Sequence, residues 1–310
     1  MDRPGRPGRG RLTVPPASPL AGALLPRCAF PPPGTPVVAA VSGGADSLAL
    51  LALAVASGAV VTAVHVDHGR RVGSAGEAGL VADVAHRFGA GFRAERVVVA
   101  PGPNLEARAR DARYAVLPAG VLTGHTADDR AETVLLHLLR GAGPTGLAGI
   151  RRGPRRPILD LRRHETEALC AELGLEPLQD PSNDDPVHRR NRVRHELLPL
   201  VAEIGDRDPV PLLVRQADLF GELDDAIDEL AATIDCTSAP ELRAAPRPLA
   251  GAAIRRWLQA AGVGDGHPAD AAMVDRVRAV AANQAVACDL VGGWRVARTA
   301  GRLRLVAPPS

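Results

Sequence analysis

Between residues 36 and 160 the chain alternates short apolar runs with longer stretches whose apolar positions repeat at helical spacing. The run "PVVAAV" (36–41) predicts a buried strand, and the Leu/Ala-rich stretch after it predicts a helix stopped by Gly58. A strand over "AVVTAVHV" (59–66), a helix over roughly 76–88 and a strand over "AERVVVA" (94–100) follow. Next come a helix from Asn104 to Leu117, a short strand "GVLTGH" (120–125) and a helix from Ala127 to Arg140. Strands alternating with helices predict an α/β fold with a doubly wound parallel sheet. Ligands of such sheets sit beyond the carboxyl ends of the strands. Three polar clusters fall there: Ser42 to Ser47, His65 to His68 and Gly124 to Asp129.

Beyond residue 160 the period changes. A helix ending near Gly174 gives way to the polar stretch "QDPSNDDPVHRRNRVRHELLPLV" (179–201), a loop that runs into a basic helix. After the turn residues "GDRDP" (205–209) the pattern is helical over 212–234, 249–261 and 270–282, then hairpin-like over 287–307. These shifts divide the chain into a disordered extension (1–35), an α/β domain (36–205) and a smaller, mainly helical domain (206–310).

Composition sharpens this reading in a few places. At 310 residues with 46% hydrophobic content, two domains with real cores are affordable, but 2% aromatic content means that aliphatics and alanine build them. All 37 basic residues are arginine, a bias of the kind a GC-rich genome produces, so any phosphate contact comes from arginine, backbone or hydroxyl. A net charge of +2 names no partner by itself. Cys28, Cys170, Cys236 and Cys288 are far apart and form no CxxC, which excludes familiar zinc-ribbon spacings and suits a reduced, cytoplasmic setting. No charge-free apolar stretch approaches a membrane span, and the basic front of the chain leads to no convincing cleavage site.

The stretch "SGGADS" (42–47) is a strand-to-helix turn whose backbone N–H groups, with the helix N-terminus, suit phosphate. An ordinary loop that uses glycine for tight turning and Ser47 as a helix cap has the same composition. In strand–turn–helix context the stretch resembles the PP-loop, the SGGxDS signature of the ATP-pyrophosphatase superfamily, and lacks the Gly-Lys-Ser/Thr ending of a Walker A loop. In order there follow "VHVDHGRR" (64–71), "NLEARARDARY" (104–114), "GHTADDRAET" (124–133), "RGAGPTGLAGI" (140–150) and "DPSNDDPVHRRNRVRHELLP" (180–199). The ordered series is similar to the tRNA(Ile)-lysidine synthase family over roughly residues 36–200, and "AAIRRWLQAAG" with the terminal hairpin looks like that family's substrate-binding domain.

The resemblance implies ATP as substrate, Mg²⁺, free L-lysine and a CAU-anticodon isoleucine tRNA, with a homodimer open. The C2 oxygen of the wobble cytidine would attack the α-phosphate, and lysine would then displace AMP. Ser42, Gly43, Gly44, Ala45, Asp46 and Ser47 would hold the phosphates, and His65 and Asp67 would lie beside adenine and ribose. Asp46, His125, Asp128 and Asp129 are the candidate catalytic groups, with Asp46 and Asp128 as candidate metal ligands. The adjacent carboxylates at a helix start also suit plain capping. Arg110, Arg113, Arg151, Arg152, Arg189, Arg190, Asn191 and Arg194 are candidate tRNA contacts, though charge runs also form ordinary solvated faces. Arg130 stands where the family usually has Gln. Two rival readings are a PP-loop tRNA thiolase, which needs cysteines, and a nonenzymatic ATP-binding module.

Overall fold

A computed structural model describes residues 18–67, 74–97, 108, 112, 115–178, 185–264 and 268–308. It divides into two compact units, Met1–Asp218 and Leu219–Ser310. The boundary expected near residue 205 lies upstream of that division, which falls inside one long helix.

The first unit is built on a parallel sheet of β1 (Pro36–Ala40), β2 (Val60–Asp67) and β3 (Gly91–Arg96), in that order. Leu122 extends it with a parallel bridge to Ala39, so the expected strand over 120–125 is present only as this single pairing. The third strand begins earlier than expected, at Gly91 rather than residue 94, because Thr62 through Asp67 of β2 pair with Gly91 through Arg96. The last residues of the expected run, and most of the expected 104–117 helix, lie outside the described residues.

Residues 18–35 do not belong to a disordered extension. Helix α1 (Pro19–Leu24) is capped by Ser18, which accepts a hydrogen bond from the Ala21 N–H and donates one to Glu172. Ala21 and Leu24 sink into the core, and that burial orders the segment. Helix α2 (Ala45–Ala56) is buried from Ser47 through Ala54 on every side, as its all-round Ala/Leu content requires. It packs among the sheet, α1 and helix α3 (Ser74–Arg87). Helices α4 (Ala127–Leu138), α5 (Pro144–Leu147) and α6 (Arg163–Glu172) complete the α/β part, with α6 against α2. The basic segment folds as α7 (Arg189–Arg192), one π-type turn (Val193–Leu197) and α8 (Leu198–Gly205). The long α9 (Val210–Ala231) crosses into the second unit.

The second unit adds α10 (Ala239–Ala244), α11 (Arg247–Ala260) and α12 (Ala271–Ala281) around a core that includes Ile254, Leu258, Val277, Val296 and Leu303. Its terminal hairpin, β5 (Arg295–Thr299) and β6 (Arg302–Val306), gains a third antiparallel strand, β4 (Ala287–Asp289). The unit is mainly helical and ends in the expected hairpin, to which β4 is added.

Candidate functional site

Strand β1 delivers the chain to Ser42 and Gly43, and α2 begins immediately after Gly44. Gly43 has φ +92°, and a Cβ there would collide with the Leu178 side chain, so the turn requires glycine. Ser47 organises the loop from one turn inside the helix. Its Oγ accepts the N–H groups of Ser42 and Gly43, each at 3.1 Å, and donates to the Gly44 carbonyl at 2.8 Å. Two amides of the expected phosphate loop are thus held by Ser47. Those of Gly44 and Ala45, with the Asp46 N–H, have no acceptor among the described residues. Open first-turn amides at a positive helix end form an anion site.

The "GHTADDRAET" segment reaches this turn through backbone contact. A Cβ on Gly124 would sit 2.8 Å from the Asp46 carbonyl oxygen, so glycine lets the two loops touch. Thr126 and Asp129 then form a capping box that starts α4, the Asp129 Oδ2 accepting the Thr126 N–H at 2.9 Å. His125 lies between, its Nδ1 2.8 Å from the Thr123 hydroxyl oxygen. His65 is buried at the end of β2, its Nδ1 3.0 Å from the Val41 carbonyl just before the loop. Its Nε2 has no partner among the described residues. Asp67 closes the same strand.

Asp46 accepts a hydrogen bond from the Thr166 hydroxyl of α6 and lies 3.6 Å from the Arg163 guanidinium. Burial, reinforced by the Asp129 charge, pushes its carboxyl up to about 6 against the pull of Thr166 and Arg163. Asp128 behaves in the opposite way. Burial works to raise its pKa, but hydrogen bonds from Arg162 and from the Arg163 N–H outweigh burial and hold it below the usual range. The structure commits Asp128 to Arg162 and the start of α6. Asp129, joined to Asp46 through Arg163, is the carboxylate whose charge bears on Asp46.

One turn further along α4, Glu132 is fully buried and takes three guanidinium groups: Arg163 at 3.1 Å, Arg190 at 2.8 Å and Arg194 at 2.7 Å. The sequence reading passed over Glu132 and Thr166, and it took Arg163 as one of a basic run facing tRNA phosphates, whereas its guanidinium pairs with Asp46, Asp129 and Glu132. A spacing of three from Asp129 puts Glu132 on the same helix face, and that was the available signal. The same contacts change the picture of the basic segment. Arg190 and Arg194 point into the protein to balance Glu132, and Asn191 is buried with its amide donating to the Asp185 carbonyl. They hold the site together. Arg189 is exposed, as is Arg152, which pairs with half-buried Asp160. Arg151 is half-buried, and its carbonyl accepts from Arg156. Arg110 and Arg113 lie outside the described residues.

Arg130 is almost fully buried and donates to Asp218 at 2.6 Å, while its Nε and Nη1 have no partner among the described residues. Among the described residues no group of three metal-ligating side chains occurs. The four cysteines are free and separate. Burial pushes the Cys28 and Cys170 thiols up to about 12 and raises those of Cys236 and Cys288. No helix of the described residues is long and apolar enough to cross a membrane.

Comparison with known proteins places these features in a family context. A family model described as a PP-loop domain matches residues 27–201. A tRNA(Ile)-lysidine synthase of Salinispora tropica is 41% identical, covering 90% of this chain and 92% of its own length. One of Rhodococcus erythropolis is 42% identical over 72% of this chain and 73% of its own. Among solved structures, a U34-tRNA thiolase of Methanococcus maripaludis with its 4Fe–4S cluster superposes with a TM-score of 0.52. That match is 16% identical, covers 65% of this chain and 78% of the other, and speaks to the fold alone.

Proposed function

The chain belongs to the tRNA(Ile)-lysidine synthases, and from that premise we propose how its residues carry the reaction. The enzyme uses ATP to ligate free L-lysine to C2 of the wobble cytidine in CAU-anticodon tRNA(Ile), giving lysidine, AMP and pyrophosphate. AUA is then decoded as isoleucine. The observation that carries this reading is the meeting of Asp46 with the α4 carboxylates at a helix start whose first-turn amides are open.

Adenylation comes first because a carbonyl oxygen is a poor leaving group and an adenylated one is a good one. The amides of Gly44, Ala45 and Asp46 bind phosphate oxygens, with the exposed Ser42 hydroxyl beside them. Two carboxylates from the protein with phosphate oxygens from the substrate form the donor set that Mg²⁺ takes, and Asp46 with Asp129 would supply those carboxylates. Mg²⁺ bound there would offset the charge that builds on the phosphates. In the second step the amine of lysine must be neutral to attack, and we assign the acceptance of its proton to Asp129 or His125. His65 and Asp67, at the end of β2, suit the adenosine. A cytoplasmic setting fits a tRNA substrate and reduced thiols.

A thiolase of this fold needs accessible thiolates. Four separated cysteines, all with raised pKa, do not provide them. The test is incubation of the protein with ATP, labelled lysine and CAU-anticodon tRNA(Ile). Lysine incorporation with stoichiometric AMP and pyrophosphate is expected, and ATP binding without transfer would defeat the reading.

A further inference from the structure

Helix α6 presents one face to the phosphate loop. Arg163, Thr166 and Cys170, at spacings of three and four, touch Asp46 or the Ala45 carbonyl. Thr166 and Cys170 hydrogen-bond to the loop side and to neither Asp129 nor Glu132. Arg163 does more, because its guanidinium lies 3.6 Å from Asp46, 3.3 Å from Asp129 and 3.1 Å from Glu132. These carboxylates come from two separate parts of the chain, the turn after β1 and the helix α4. Glu132 has Arg190 and Arg194 as further counter-ions, and Asp129 has Arg190 at 4.0 Å. Among the described residues Arg163 is the one guanidinium within ion-pair distance of Asp46.

We infer that Arg163 is a positioning residue that sets the spacing between Asp46 and Asp129, and so couples the adenylation and lysine-transfer half-sites through one rigid fork. This rests on the assignment of the two steps given above. Two carboxylates facing one another repel, and a planar guanidinium with fixed donors offsets that repulsion in only one geometry. A lysine ammonium at this position keeps the charge but is a point donor on a flexible stem, and cannot fix all three carboxylates at once. Nucleotide affinity comes mainly from the backbone amides, so Arg163 acts on turnover more than on ATP binding.

The experiment compares wild type, Arg163→Lys, Arg163→Gln and Thr166→Val by tRNA-dependent pyrophosphate release and by labelled-lysine incorporation, with melting curves alongside. Misplacement of reacting groups by about 1 Å costs on the order of 100-fold, so Arg163→Gln should lose about that much kcat with little change in KM for ATP. Arg163→Lys should recover about tenfold of it, lower pyrophosphate release and also raise KM for lysine. Thr166→Val removes a hydroxyl that donates to Asp46 and to the Arg163 carbonyl of its own helix but meets neither Asp129 nor Glu132, so it should lower pyrophosphate release and leave KM for lysine unchanged. If Arg163→Gln does not fold, Arg163→Lys decides the matter. Full activity of a folded Arg163→Lys, or a defect confined to one step, overturns the coupling. Absence of lysine transfer by wild type would instead defeat the functional reading, so the two failures are distinct.

Discussion

Asp46 illustrates how much one residue's surroundings decide. The same type at Asp128, hydrogen-bonded by Arg162 and the Arg163 N–H, is held below the usual carboxylate range, whereas burial raises Asp46 to about 6. In the ATP-free protein this has a definite sign. Between an ordinary value of 3.8 and about 6, folded Asp46 keeps a proton that the unfolded chain has released. Its contribution to stability is therefore complete below the ordinary value and is lost as pH rises through about 6. Urea unfolding across that window should show wild type losing stability relative to Asp46→Asn as pH rises, and parallel curves would remove the raised pKa. On the Mg²⁺-holding role proposed for this carboxylate, Asp46→Asn should abolish pyrophosphate release while circular dichroism stays native. Substantial residual release would make Asp46 only a first-turn dipole partner.

At the scale of elements, the packing of helices divides the arginines into two kinds. Arg190 and Arg194 on the basic segment balance buried Glu132 on α4, while Arg189 next to them faces solvent. Arg189→Glu should weaken tRNA binding and lower its salt slope by about one unit, because one phosphate contact is removed. Arg190→Glu should chiefly lower the melting temperature, because it puts a second carboxylate beside Glu132. An unchanged slope for Arg189→Glu would return that residue to the solvated face. The contact between α4 and α9 carries an asymmetry of its own. Asp218→Ala leaves Arg130 buried and uncompensated, at a cost of about 3 kcal/mol. Arg130→Gln removes two buried donors that lack partners and leaves Asp218 with Arg152, so its cost should be about 1 kcal/mol or less. Equal losses in denaturant titrations would show that the pair, rather than the buried charge, sets the energetics.

Across the whole molecule, the legible features were those encoded over a few adjacent residues. The apolar run, Gly43, Gly44 and the Ala/Leu helix specify a strand–turn–helix locally, so the phosphate loop could be read before any tertiary contact was known. Partners distant in sequence could not be read this way. Glu132 meets Arg163, Arg190 and Arg194 only after α4, α6 and the basic segment pack, and a charge run looks the same whether it faces RNA or a buried carboxylate. The N-terminal segment was missed for the same reason, since Ser18 finds Glu172 across 154 residues. The cysteines provide the test that reaches over both units. Cys28 and Cys170 pack in or against the core of the first unit, Cys236 and Cys288 against that of the second, and lysine transfer requires none of them. A variant with all four replaced by Ala or Ser should retain labelled-lysine transfer. Its melting temperature should fall modestly, chiefly through Cys170, the most buried of the four. Changing Cys170 also removes its contact with the Ala45 carbonyl, so a single Cys170→Ala control measures how much of any loss comes from the loop rather than from sulfur. If the four-fold variant stays folded and loses activity beyond that control, sulfur chemistry has a part in the reaction and the lysidine mechanism fails.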